Sequence, residues 1–280
     1  MSERIACLPL AEWPAARRQA LVGVMTDIDD TLTTEGAITT DALDALARLR
    51  DAGLARIAVT GRPVGWSLPF AAAWPLDALV AENGAVALVP VQAADGTVSI
   101  ARHYRDDAAT RASNYRRLQQ ALERIEREVP GAMRATDSPG RETDIAIDHS
   151  EFTRLDETRI AEVVALMRAQ GLHATVSSIH INGWFGDHDK WVGARWIVQA
   201  LLGRDLEAEI DRWAYVGDST NDQRMFEAFD NSIGVANLRR FMSRLHCLPR
   251  YITPSERGAG FAEMAAAVLA ARAGRDGAAP

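Results

Sequence analysis

The chain has 280 residues, 48% hydrophobic and 25% charged, which is enough to bury a sizeable core in roughly two domains at the usual ~100 to 150 residues each. A formal charge of −7 gives no broad positive field, which argues against nucleic acid or anionic lipid as a partner. No uncharged apolar run approaches the roughly 20 residues of a membrane span, Met1 to Arg4 lack an apolar signal region, and Cys7 and Cys247 have no metal-ligand spacing, so a cytoplasmic protein is expected.

Residues 11–20 read as a short helix that leads into an apolar strand over 21–26. That strand ends abruptly in Asp27-Ile28-Asp29-Asp30-Thr31-Leu32-Thr33, which is how a buried parallel strand looks when it delivers polar groups to its C-terminal edge. Asp27 and Asp29 sit at i and i+2, so an extended backbone can aim both carboxylates at one point, and their repulsion calls for a cation. A calcium loop of the EF-hand kind is excluded, because its Gly and Glu positions hold Leu32 and Ile38.

Thr39 or Thr40 can cap a helix whose Leu43, Leu46 and Leu49 follow helical spacing, with Gly53 placed to end it. Leu54 to Val59 then form a second strand, ending in Thr60-Gly61-Arg62-Pro63, and a helix carrying Trp66 and Phe70 follows. A third strand, Ala78 to Val80, ends at Glu82-Asn83-Gly84. Alternating strand and helix is the signature of a doubly wound parallel sheet.

After Asn83 the pattern changes. Val86 to Val91 and Thr97 to Tyr104 flank Ala94-Asp95-Gly96 as a hairpin, and a polar helix runs from about Asp107 to Glu128. Strands near Met133 and over Asp144 to Asp148, a helix over Glu157 to Ala169 and a strand over His173 to Ile181 complete a separate α+β layer. Alternation resumes at Lys190: a helix to Leu202, the strand Trp213 to Val216 before Gly217-Asp218-Ser219-Thr220-Asn221-Asp222, short strands at Ile233 to Val235 and Tyr251 to Thr253, a last helix over Gly260 to Ala271, and a loose tail over Gly274 to Pro280. The expected architecture is an α/β, doubly wound, Rossmann-like core of residues 1–86 and 186–280, interrupted by an inserted α+β domain at 87–185.

Strand ends this far apart in sequence converge only if the sheet is parallel, and then topology brings them together. Taken singly, Thr60 is a helix cap, Lys190 a solvated lysine, and Asp218 and Asp222 a cap and a first-turn acid answering the helix dipole. Taken together, Asp27-Ile28-Asp29-Asp30-Thr31, Thr60-Gly61-Arg62, Lys190 and Gly217-Asp218-Ser219-Thr220-Asn221-Asp222 resemble the four motifs of the haloacid dehalogenase superfamily of phosphotransfer enzymes. Their order and spacing are similar to the branch with a large type II cap between the second and third motifs, the Cof-like and sucrose-phosphatase-like enzymes.

The resemblance implies a magnesium-dependent phosphatase acting on a small phosphate monoester, a phosphosugar before others, through an aspartyl-phosphate. It gives Asp27 as nucleophile and Asp29 as general acid then general base. Magnesium would be held by Asp27, the main-chain carbonyl of Asp29, Asp218, and Asp222 directly or through water. The phosphate would be bound by Thr60, Gly61, Lys190 and Asn221, with Asn221 holding either Lys190 or the phosphate itself.

Substrate specificity is expected from the hinges and the inner face of the cap sheet, with Arg62, Asn83, Arg141, His180 and Asn182 as candidates. The chain departs from the family pattern at Asp30, where Gly is common, and over Asn182 to Asp189, which carries no cap signature. Two other readings stay open: a phosphomutase using the same aspartyl-phosphate, and a phosphorylatable signalling receiver, although a receiver has no use for the insert. The expected partner is a small phosphorylated metabolite, and the expected state a monomer or homodimer.

Overall fold

The structure, a computed structural model, describes residues 6–276. Its strands are β1 (Leu8–Pro9), β2 (Gly23–Thr26), β3 (Thr33–Thr34), β4 (Ala37–Ile38), β5 (Ala55–Val59), β6 (Ala78–Ala81), β7 (Val86–Gln92), β8 (Val98–Tyr104), β9 (Met133–Arg134), β10 (Asp144–Asp148), β11 (His173–Val176), β12 (His180–Trp184), β13 (Trp213–Gly217), β14 (Asn231–Gly234) and β15 (Tyr251–Ile252). The helices are α1 (Ala15–Gln19), α2 (Thr40–Asp51), α3 (Val64–Ala73), α4 (Ala108–Glu128), α5 (Glu157–Ala169), α6 (Lys190–Leu202), α7 (Gln223–Ala228) and α8 (Arg257–Asp276).

Nine strands form the central sheet in the order β1-β15-β14-β13-β2-β5-β6-β7-β8, parallel from β1 through β6. Successive residues of a strand point to opposite faces, and both faces here are apolar. Val24 of β2 packs with Leu46 and Leu49 of α2 and Phe261, Met264 and Val268 of α8. Its neighbour Met25 packs on the other side with Ile197 of α6 and Met225 and Phe226 of α7. The helices thus cover the middle of the sheet, while β8 at one edge stays largely exposed.

A second, four-stranded antiparallel sheet, β11-β12-β10-β9, has α4 and α5 on one face. Ile145, Ile147 and Ile181 point into that helical layer beside Leu122, Ile125, Val163 and Met167. By the period of two, Asp144, Asp148, His180 and Asn182 share the opposite face, which closes over the core.

Three expectations are corrected. The hairpin β7–β8 belongs to the central sheet and not to the insert, because β7 pairs with β6 and buries both faces, Val86 and Leu88 on one and Ala87 and Val89 on the other. The small domain's own sheet and helices therefore come from residues 108–184, inside the expected 87–185. The single strand expected over His173 to Ile181 is two strands, β11 and β12, joined by a turn in which Ser177 N donates to His180 O. The last helix extends to Asp276, so Gly274 to Asp276 are helical, and the remainder of the expected tail lies outside the described residues.

Candidate active site

Three parallel strands deliver the core of the site. Asp27 N still pairs with Val216 O at 2.9 Å, so the chain stays extended one residue past β2 before it turns. The carbonyl of Ile28 then accepts from the amides of Thr31, Leu32 and Thr33, and Asp30 takes a left-handed φ of 54°, which Asp tolerates better than most residues. Asp30 turns toward Arg257, Oδ1 to Nε at 3.0 Å, so the carboxylate standing where Gly is common is paired.

Lys190 reaches this point from the first residue of α6. A Cβ on Gly84 would collide with the Asp189 carbonyl, and one on Gly193 with the backbone of Gly84, so two glycines let α6 press against the end of β6. Lys190 Nζ, 2% exposed as a residue, donates to Asp27 Oδ1 at 2.6 Å and to Asp222 Oδ1 at 2.7 Å. Asp222 is also held by the Tyr215 hydroxyl at 2.5 Å and by the amides of Asp218 and Ser219 at 2.9 and 3.1 Å.

Asp27, Asp218 and Asp222 each present a carboxylate oxygen within 4.8 Å of the others, and all three are buried. Burial pushes the Asp27 carboxyl up, as do Asp222 and Asp29, against the opposing pull of Lys190. Asp218 is raised well above the ordinary range by burial and by Asp27 and Asp222. Burial would depress Lys190, but Asp222 and Asp27 outweigh it and hold the ammonium charged.

This trio can bind a metal ion. Asp218 Oδ1 is buried with no hydrogen-bond partner among the described residues, while Oδ2 accepts from Asn237 Nδ2 at 3.1 Å. An orphaned carboxylate oxygen facing two like charges is the donor set a hard divalent cation takes. Both Asp222 oxygens are already engaged by four donors, so the free ligand capacity lies with Asp218 and Asp27.

The expected phosphate-binding residues divide. Thr60 is buried at the end of β5, and its Oγ1 accepts from Arg62 N at 3.0 Å, which shapes the turn and leaves the hydroxyl proton free to donate. The Gly61 carbonyl accepts from Arg141 Nη1 at 3.0 Å and Asn182 Nδ2 at 3.3 Å. Of the two roles expected for Asn221, holding Lys190 falls to Asp222, while Asn221 Oδ1 accepts from Ser219 Oγ at 2.9 Å.

All five expected substrate residues meet across the cleft. Arg62 Nε and Nη2 grip Asp29 at 2.9–3.0 Å, Nη1 reaches Asp137 at 3.2 Å and Nη2 reaches Glu151 at 2.7 Å. Arg141 Nη1 pairs with Asp144 at 2.7 Å, and Asp144 Oδ2 accepts from Asn83 and Asn182 at 3.2 and 3.3 Å. His180 Nε2 meets Glu151 Oε2 at 2.8 Å. Burial, together with Glu82, raises Asp144 to about 7 against the pull of Arg141. For Glu151, burial is outweighed by hydrogen bonds from His180 and Arg62, and the carboxyl falls to about 2.

Several participants escape a reading of the sequence. Asn237, three residues past β14, bonds Asp218 Oδ2 and the Asp30 carbonyl, and the rule that polar groups collect at parallel strand ends could have flagged it. Tyr215 lies inside an apolar strand with nothing to distinguish it. Asp137, Asp144 and Glu151 belong to the insert, where no motif marks them. Glu82, fully buried, ties the hinge by accepting from Val64 N, Glu142 N and Thr143 N.

Residues 24–133 match the family of haloacid dehalogenase-like hydrolases. No curated protein sequence matches the chain. Among solved structures, protein 0175 of Thermoplasma acidophilum is similar over 89% of this chain and 98% of its own, with a TM-score of 0.64 at 14% identity. A HAD/COF-like hydrolase from Plasmodium vivax matches over 91% and 98%, with a TM-score of 0.62 at 16% identity. The sucrose-phosphatase of Synechocystis, solved with sucrose and phosphate, matches over 88% and 97%, also at 0.62 and 16%. Among the described residues no helix is long and apolar enough to cross a membrane.

Proposed function

We propose that this chain, which belongs to the haloacid dehalogenase-like hydrolases, is a magnesium-dependent phosphatase of small phosphate monoesters, a phosphosugar before others. The observation that carries the reading is the meeting of Asp27, Lys190, Asp218 and Asp222 from distant parts of the chain in one buried cluster, with Asp29 beside it. Magnesium, held by Asp218 and Asp27 with Asp222 behind them, would neutralise charge on the phosphoryl oxygens.

In the first half-reaction a carboxylate oxygen of Asp27 attacks phosphorus, the bond to the ester oxygen breaks, and its electron pair leaves with the alcohol as Asp29 gives it a proton. In the second, Asp29 takes a proton from water as the water oxygen attacks the aspartyl-phosphate, releasing inorganic phosphate and restoring Asp27. Lys190 offsets the charge that develops on the transferring group, and the Thr60 hydroxyl donates to one of its oxygens. His180 and Asn182 share the cap-sheet face turned toward the core, where a leaving group held at Asp27 would meet the cap. The sucrose-phosphatase fold match is consistent with a sugar in that position.

A phosphate-release screen over phosphorylated sugars and metabolites, with and without magnesium, tests the reading. Release is expected to require the metal and to fall by at least about 10³-fold in Asp27→Asn, the scale of losing a covalent nucleophile. Robust release by that variant overturns the assignment of Asp27. Turnover that needs an activated sugar and yields no free phosphate assigns a mutase instead.

A further inference from the structure

The cap reaches into the core at Arg62. Three carboxylates divide its guanidinium: Asp29 from the core takes Nε and one side of Nη2, Glu151 takes Nη2 at 2.7 Å, and Asp137 takes Nη1 at 3.2 Å. A guanidinium is a rigid planar fork, so fixing two of its prongs fixes the third. Trp66 lies under the fork, 4.7 Å from ring centroid to Cζ. The side chain is 6% exposed and has little freedom to move elsewhere.

Glu151 is itself built into place. Asp148, buried on the cap face of β10, accepts from the amides of Ser150, Glu151, Phe152 and Thr153 at 2.9–3.1 Å, which folds the following loop around one carboxylate. The second oxygen of Glu151 is held by His180, whose side chain is 3% exposed. An acid that merely decorated a cap loop would need neither the pinned backbone nor the buried imidazole.

We infer that Glu151, with Asp137, is a positioning residue for Asp29, acting through Arg62: closing the cap sets the fork, and the fork sets the carboxyl group that exchanges protons with the leaving oxygen and water. The proposal rests on the phosphatase reading above. With the cap lifted, Arg62 loses two of its three carboxylate partners and Asp29 loses its fixed orientation, so proton transfer is completed only over an enclosed substrate. Neither Glu151 nor Asp137 need touch the substrate for this to operate.

The test compares Glu151→Ala with Glu151→Gln, whose amide oxygen can still accept from Arg62. Kinetics use ethyl phosphate and 2,2,2-trifluoroethyl phosphate, which differ little in size but strongly in how much the leaving alcohol needs a proton. Glu151→Ala is expected to lower kcat/KM for ethyl phosphate by at least about tenfold and for the fluorinated ester by less than about threefold, within the range of general-acid assistance. Glu151→Gln is expected to recover most of the loss.

Equal losses on the two esters, or no recovery with Gln, overturn the inference, because a cap that had merely loosened does not discriminate leaving groups. A crystal structure of Glu151→Ala decides independently of turnover: Asp29 released from the Arg62 fork supports the coupling, and an unchanged pair overturns it. Should the parent protein hydrolyse neither ester nor any compound of the wider screen, the phosphatase reading falls while the structural arm still decides this one. If Glu151→Ala fails to fold, Asp137→Ala is read the same way, with a smaller split expected from its longer contact.

Discussion

Two charged clusters lie side by side in this molecule, and they are built on opposite principles. At the strand ends of the core, Asp27, Asp218 and Asp222 share a single ammonium, that of Lys190, bonded to Asp27 and Asp222, and one oxygen of Asp218 has no partner among the described residues. Across the hinge, Asp29, Asp137, Asp144 and Glu151 are each gripped by a guanidinium, and Asn83, Asn182 and His180 satisfy further oxygens. The first cluster is under-compensated and suited to a ligand that brings positive charge. The second is closed on itself and suited to holding two domains in one relation.

The comparison breaks most visibly at Arg141. It sits between Asp137 and Asp144 at 3.1 and 2.7 Å and also bonds the Gly61 carbonyl, so its removal strands the buried Asp144 carboxylate of the cap and cuts a bond from the cap to the core. Arg141→Met is expected to cost about 3–5 kcal/mol, the range for leaving a buried charge unpaired. Denaturant unfolding measures it. A loss under about 1 kcal/mol, the scale of an exposed ion pair, would place the hinge cluster in water and remove the contrast with the core.

The core cluster is expected to respond the other way. Replacing Asp218 by Asn removes one of three mutually repelling charges and supplies donors where an orphaned oxygen stood, so the metal-free protein gains about 1 kcal/mol. Magnesium at a hundred times its dissociation constant stabilises the parent by about 2.7 kcal/mol and leaves Asp218→Asn unmoved. Thermal unfolding with and without the ion reads both effects. An equal shift in the two proteins would put the ion elsewhere.

The same contrast explains what the sequence could disclose. Asp27, Thr60 and Asp218 follow apolar runs short enough to be parallel strands, and a parallel sheet gathers strand ends at one edge whatever the loops between them do. Lys190 needs only its position at a helix start. The hinge cluster has no such rule behind it: Asp137 lies in a turn, Glu151 in a loop folded around Asp148, and each meets Arg62 only because the cap closes as a body. Arg62, Arg141, His180 and Asn182 were legible as polar groups on hinges or on one strand face, but their acidic partners were not.

The place of the hairpin in the core sheet escapes the sequence for a related reason. Its alternation of residues was clear, but whether a strand joins the core sheet or the cap sheet depends on burial of both faces, which Val86 to Val89 show only once β6 lies beside them. Of the two roles expected for Asn221, contact with Lys190 falls to Asp222, because a turn of one residue decides which of them faces the lysine.

The finest distinction lies inside the hinge cluster, between Asp144 and Glu151. Asp144 is raised to about 7 by burial, so the folded protein binds its proton more tightly than the unfolded chain does. Its contribution is full below the unfolded value near 4 and is lost as pH rises toward 7. Glu151 falls to about 2 under His180 and Arg62, so its contribution is full above the unfolded value of about 4.5 and is lost as pH drops toward 2. The two acids, a few residues apart, therefore tilt stability in opposite directions over different windows.

Urea unfolding across pH 2–8 separates them. Asp144→Asn is expected to flatten the fall between pH 4 and 7, and Glu151→Gln to flatten the acid limb below pH 4.5. The Glu151 effect is the smaller, about 1 kcal/mol, because its side chain is partly exposed and its ion pair is screened accordingly. If Glu151→Gln left the acid limb unchanged, the Arg62 contact would be too weak in solution to hold the cap, and the closed arrangement of the hinge would have to rest on Arg141 and Asp144 alone.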